Sequence, residues 1–171
     1  TMDELIDEVG KDAARFFFVD RKPNSHLNFD LELAKKQSSE NPVYYCQYAH
    51  ARICSILEKA HKIDFNEKEI DYTKLKKLNR PDELEIIKKL QDFQEILVSV
   101  CEHREPHRLC DYIKELSGML HKYYHDCAIL NKRTKDTTLA RLYLILAVKN
   151  ILKIGLNLIG VSAPDKMQKK K

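Results

Sequence analysis

The stretch "ENPVYYCQYAHARICSIL", residues 40–57, decides how the chain folds. Asn41 can cap a helix with its side-chain oxygen, and Pro42 suits the first helical position, where its missing N–H has no partner to lose. Cys46, Ala49, Ile53, Ile56, Leu57 and then Ala60 recur at helical spacing and form one apolar stripe. Stepping 100° per residue from Tyr45 puts Tyr48 at about 300° and Arg52 at about 340°, so the three share a face within roughly 60°. That face lies beside the stripe, which leaves two readings. The rings are boundary residues of a core, the commoner case on spacing alone, or they keep a ring body packed and a face free to stack on an unpaired base.

Working outward, "DELIDEVGKDAARFFFV" (residues 3–19) places Ile6, Val9, Ala13 and Phe16 at helical spacing, and Pro23 is expected to end that helix. A short helix should begin near Asp30, and the polar run Gln37–Glu40 reads as a joint, so a domain boundary is drawn after residue 38. Beyond Lys62 the charged, weakly patterned stretch up to residue 80 reads as an excursion between helices. Pro81 restarts helix, with Ile86, Leu90, Phe93, Leu97 and Val100 as its stripe. Pro106 opens another helix carrying Leu109, Ile113, Leu116, Leu120, Tyr124 and Cys127. The last long helix runs from about Thr137 to Gly155 or Leu158, with Gly160 and Pro164 as stop signals. Several amphipathic helices and no strand pair predict an all-α helical bundle.

Composition narrows the function. Four glycines scattered singly, with no GxxxxGK[ST], GxGxxG or GxSxG, argue against an autonomous nucleotide-using enzyme. Five cysteines, an odd number without CxxC spacing, point to a reducing cytoplasm rather than a disulfide framework. His103 with His107, and His121 with His125, are each four apart, but a closed metal site needs about four converging ligands, so no metal is expected. Asp82, Glu83 and Glu85 sit in a first helical turn, where dipole and solvent account for them. The most apolar segment is interrupted by Arg141, Lys149, Asn150 and Lys153, so no membrane span is expected. Charge is unevenly placed: residues 1–105 hold 17 Lys+Arg against 21 Asp+Glu, whereas 106–171 hold 13 against 5. A polyanion would be drawn to the second part. Because "TMDELIDEVG" already runs into a helical pattern at the first residue, the chain reads as a piece of something longer.

"NPVYYCQYAHAR" and the closing "GVSAPDKM", together with "DELIDEVGKDAARFFF" and "SHLNFDLELAKKQ", resemble the C-terminal part of bacterial arginyl-tRNA synthetase, a class I aminoacyl-tRNA synthetase. The resemblance spans nearly the whole chain. It implies that residues 1–38 are the tail of a catalytic region and residues 39–171 an all-helical anticodon-binding domain, of the type named for a D-A-L-R signature. That signature survives loosely here as Leu139, Ala140, Arg141 and Leu142. The HIGH-type and KMSK-type nucleotide signatures are absent, so the chain alone should not activate arginine. No cofactor is expected in it, and ATP with Mg belongs to the parent enzyme. The implied partner is the anticodon loop of an arginine tRNA, with no DNA and a monomeric state. The residues carried over as anticodon-binding are Asn41, Tyr45, Tyr48, His50, Arg52 and Met167, with Lys166, Lys169, Lys170 and Lys171 as candidate phosphate contacts; by its angle on the helix His50 also fits a packing role. The rival reading is a helical protein-interaction module whose tyrosines pack on a partner helix.

Overall fold

The computed structural model describes all residues except 23, 24, 27, 61–64, 66–68, 132 and 168–171. The expected effect of Pro23 and the contacts of Lys169–Lys171 therefore lie outside the described residues. The first helical segment is two helices, α1 (Met2–Val9) and α2 (Lys11–Val19). Thr1 and Glu4 form a capping box at the start of α1, and Gly10 separates the two at φ 84°, a left-handed backbone in which any side chain would be strained. The expected continuous stripe thus bends at the one residue that can take the turn. Next comes α3 (Leu31–Lys35), capped by Asp30, whose Oδ1 accepts from the Leu33 amide at 2.9 Å.

Helix α4 (Pro42–Ala60) begins as its sequence requires, with Asn41 Oδ1 accepting from the Val43 amide at 3.2 Å. The excursion after it contains a 3-10 helix, Tyr72–Lys77, capped by Asp71. The single rod expected after Pro81 is α5 (Pro81–Gln91) and α6 (Phe93–His103), with a turn at Asp92 between them. Then follow α7 (His107–Asp126) and α8 (Lys135–Leu158). Among the described residues no helix is long and apolar enough to cross a membrane.

Helices α4, α7 and α8 pack on one another, α5 and α6 lean on α7, and α2 lies across α4 and α7. The core they enclose is continuous. Phe16 of α2, Ile53 and Leu57 of α4, Ile113 and Leu116 of α7, and Ile145 and Leu152 of α8 are all fully or almost fully buried within it. Two sequence expectations are corrected here. Glu83 is not solvated: it is 0% exposed and accepts from the Tyr123 hydroxyl and Arg141 Nε, both at 2.9 Å, and from the amides of Asn79 and Arg80 at 3.0 and 3.1 Å. Tyr124 is not core: it is 43% exposed, while its neighbour Tyr123 takes the buried position.

The segment after α8 folds back across the bundle. Gly160, at φ 77°, makes the turn, and Arg15 Nε donates to the Ile159 carbonyl at 3.0 Å from a position a Cβ on Gly160 would crowd. Asp12 of α2 accepts from the Ser162 amide, and Gln47 of α4 donates to Asp12 at 2.8 Å and to the Ser162 carbonyl at 3.0 Å. Farther on, His50 Nδ1 donates to the Pro164 carbonyl at 3.0 Å, and the Cys54 thiol donates to Asp165 at 3.4 Å. Helices α2 and α4 together hold the tail that leads to Met167.

Candidate nucleic-acid interface

The aromatic face of α4 is open. Tyr48 is 38% exposed, and its ring stands between two hollows. One, of about 220 Å³, is lined by Ser39, Tyr44, Tyr45, Tyr48, Arg52 and His121. The other, of about 410 Å³, is lined by Tyr48, Ala51, Arg52, Ser55, Ile56, Lys59, Tyr124, Lys166 and Met167. Tyr45, Tyr48 and Arg52, grouped by angle in the sequence, line the first hollow together. Met167 and Lys166 reach the second because the tail is clamped beside α4.

Arg52 is the wall between the two. Its guanidinium lies over the Tyr48 ring at 4.6 Å and over the Tyr124 ring at 4.5 Å, a double cation–π contact. It also donates to the Tyr48 hydroxyl at 3.1 Å and to His121 Nδ1 at 3.1 Å. The Tyr45 ring sits 4.6 Å from the His121 ring and keeps its hydroxyl against Gly118, where a Cβ would come within 3.4 Å of that oxygen. Burial raises the pKa of Tyr45, so its phenol stays protonated. The arrangement presents flat ring faces and three cations (Arg52, Lys59 and Lys166) on one side of the molecule. Those are the two elements that unpaired bases and their phosphates require.

Two of the carried-over residues are placed elsewhere. Asn41 is 3% exposed, and its amide donates to the carbonyls of Ala34 and Lys36, both at 2.9 Å, so it fixes the α3–α4 joint. His50 is fully buried and belongs to the tail clamp, the packing role its angle allowed. Sequence reasoning missed Tyr44, Lys59, His121 and Tyr124. A signal for the last two existed, since residues three apart on α7 share a face.

The paired histidines of the sequence do not converge. His103 bonds the Ser99 carbonyl and His125 bonds Asp126. Among the described residues, His50, Cys54 and Asp165 bring donor atoms within 4.8 Å of one another and are the group that could hold a metal. They supply three donors where a closed site uses about four. Each is already committed to the tail, and burial pushes the Cys54 thiol up to about 11, so it keeps the proton it gives to Asp165. The cluster reads as a clamp. A larger hollow of about 550 Å³ lies where α1, α2 and α3 meet the start of α4. Its wall sets Asp7, Glu8 and Asp12 against Lys11, Lys35 and Lys36, so it has no net charge to draw an anion, and Tyr44 is its single aromatic.

His50 and His121 both have pKa values lowered below 6.5, in each case first by burial. The folded chain therefore binds protons less readily than the unfolded one. As pH falls through about 6.5, the unfolded state takes up protons first and stability drops, until the folded rings are protonated as well. Urea unfolding between about pH 7.5 and 5.5 should show a midpoint that moves down on acidification. A midpoint that rises would contradict the burial of both rings.

Residues 46–167 match the DALR anticodon binding domain family. The chain is 48% identical, over 98% of its length, to an arginine–tRNA ligase of Geotalea daltonii, and 46% identical, over 97%, to that of Chlorobium phaeovibrioides. It spans about 30% of the length of each of these curated relatives. Among solved structures it is similar to Thermus thermophilus arginyl-tRNA synthetase, with a TM-score of 0.76 and 29% identity over 98% of this chain and 28% of that one. On this match, which covers well over half of its residues, the chain belongs to the DALR anticodon-binding domain family.

Proposed function

We propose that this chain is the anticodon-binding part of an arginine–tRNA ligase, the enzyme that attaches arginine to its tRNA with ATP and Mg in a region outside this sequence. Residues 1–38 are then the end of the catalytic region and 39–171 the anticodon-binding domain. The observation that carries the reading is the Tyr48–Arg52 wall, with a ring-lined hollow on each side and cations at its rim. Bases unstacked from the anticodon loop would lie on Tyr45, Tyr48 and Tyr124, with Met167 closing the far hollow. Arg52, Lys59, Lys166 and the terminal Lys169–Lys171 would meet phosphates. Every arginine anticodon has cytosine at its middle position. That base, with one exocyclic donor and ring acceptors, suits a hollow edged by the Ser39 loop and by the rings of Tyr44, Tyr45 and Tyr48. The protein-interaction reading finds no support among the relatives.

The test is a titration of the chain with an arginine tRNA transcript and with the same transcript altered at the middle anticodon base. The altered transcript should bind more weakly, and affinity for the unaltered one should fall steeply with salt. Equal binding of both, or affinity indifferent to salt, would overturn the reading. Tyr48→Ala should weaken binding by about 1 to 3 kcal/mol, the usual worth of one base–aromatic stack. Its melting temperature should hardly move, because the ring is 38% exposed. A large thermal loss with unchanged affinity would place the ring in the structural core.

A further inference from the structure

Arg52 can only donate hydrogen bonds, so the atom it meets at 3.1 Å, His121 Nδ1, must carry a lone pair. The other ring nitrogen, Nε2, lies 3.3 Å from the carbonyl of Tyr45, which can only accept. The two contacts together admit a single form of the ring, neutral with its proton on Nε2. An imidazolium would have two donors, lose the bond to Arg52 and face a second cation at contact distance. We propose that His121, neutral and protonated on Nε2, is the positioning residue that holds Arg52 upright between the two hollows, and that its protonation releases Arg52 and abolishes discrimination of the anticodon base. This rests on the RNA-binding reading above.

The surroundings of the ring favour the neutral form. From α4 it faces Tyr45, Tyr48 and Arg52, from the loop before α4 it faces Ser39 across the smaller hollow, and along α7 Tyr124 shares the guanidinium. Among these neighbours Arg52 is the charged group, and among the described residues lining the hollow there is no carboxylate to stabilise an imidazolium. Burial lowers the affinity of the ring for a proton, the Tyr45 carbonyl opposes it in part and the Arg52 charge adds to it; the net direction is down, so at neutral pH the bond to Arg52 is in place. Without it the guanidinium keeps its two ring contacts and its bond to the Tyr48 hydroxyl on its own helix, but loses the hydrogen bond that ties it to α7 and fixes its tilt between the helices. A cation whose remaining hydrogen bond is to Tyr48 on α4 can still meet a phosphate. It no longer divides the two hollows at a fixed width.

The experiment measures the ratio of affinities for the two transcripts, unaltered and altered at the middle base, from about pH 8 down to about pH 5.5, with helicity followed at each step. For the natural chain that ratio should fall by about tenfold on acidification, even though general charge attraction for RNA rises. His121→Phe keeps the ring volume but offers no acceptor, and should show the low ratio at every pH. His121→Asn keeps an acceptor near Nδ1 and cannot titrate, and should keep most of the ratio at every pH. A natural ratio that does not change with pH, or a His121→Phe chain that discriminates as well as the natural one, overturns the proposal. A natural chain that fails to discriminate at pH 8 overturns the RNA-binding reading instead. Independently of RNA, the nitrogen resonances of His121 should report the proton on Nε2; a proton on Nδ1 would end the argument.

Discussion

Glu83→Ala is expected to remove about 3 to 5 kcal/mol of unfolding free energy, the range seen when one partner of a buried ion pair is deleted. Four donors converge on this one carboxylate. Oε1 accepts from Tyr123 of α7 and Arg141 of α8, and Oε2 accepts from the two amides that lead into α5. The side chain is fully buried and that of Arg141 is 15% exposed, so truncation leaves a guanidinium with little water to turn to and two amides without a capping acceptor. The effect spreads because the carboxylate joins three helices. Urea unfolding checks it. Glu83→Gln, which keeps an acceptor but not the charge, should lose less, and Glu83→Ala combined with Arg141→Leu should recover part of the loss, since no unpaired charge then remains. A loss under about 1 kcal/mol for Glu83→Ala would mean that water reaches the site.

The same residue shows where sequence reading runs out. The three carboxylates Asp82, Glu83 and Glu85 look alike in a first helical turn. Only the crossing of α5 with α7 and α8 decides that Glu83 points inward while Glu85 stays exposed. The loose signature residue Arg141 then acquires a physical role as the partner of that carboxylate. The stripe of α4 was legible because period and capping agreed, and Cys46, Ala49, Ile53, Ile56, Leu57 and Ala60 are all buried. The grouping of Tyr45, Tyr48 and Arg52 was legible for the same reason, since it depends on one helix. The other half of the site was not. His121 and Tyr124 come from α7 and Met167 from the tail, and their meeting with Arg52 is set by the crossing of α7 on α4 and by the clamp on residues 159–165. Helical breaks were hidden where they depend on backbone more than on side-chain pattern, as at Gly10 and Asp92.

Phe16→Ala is the second large effect, with an expected loss of about 3 to 5 kcal/mol for a fully buried aromatic ring. Phe16 is 0% exposed in α2, within the same core as α4, α7 and α8, so the void it leaves opens into the centre of the bundle and not between two separable units. Unfolding should therefore remain one transition at a lower urea concentration when followed by both helicity and tyrosine fluorescence. A biphasic curve, or a loss under about 1 kcal/mol, would show α2 to be an appendage. The consequence reaches the candidate interface by a short path. Asp12 and Arg15, both just ahead of Phe16 in the same helix, hold Ser162 and Ile159, and the tail they hold carries Lys166 and Met167 to the larger hollow. Loosening α2 should thus weaken RNA binding while Tyr45, Tyr48 and Arg52 keep their places on α4. Restoring bulk with Phe16→Leu should recover stability and affinity together.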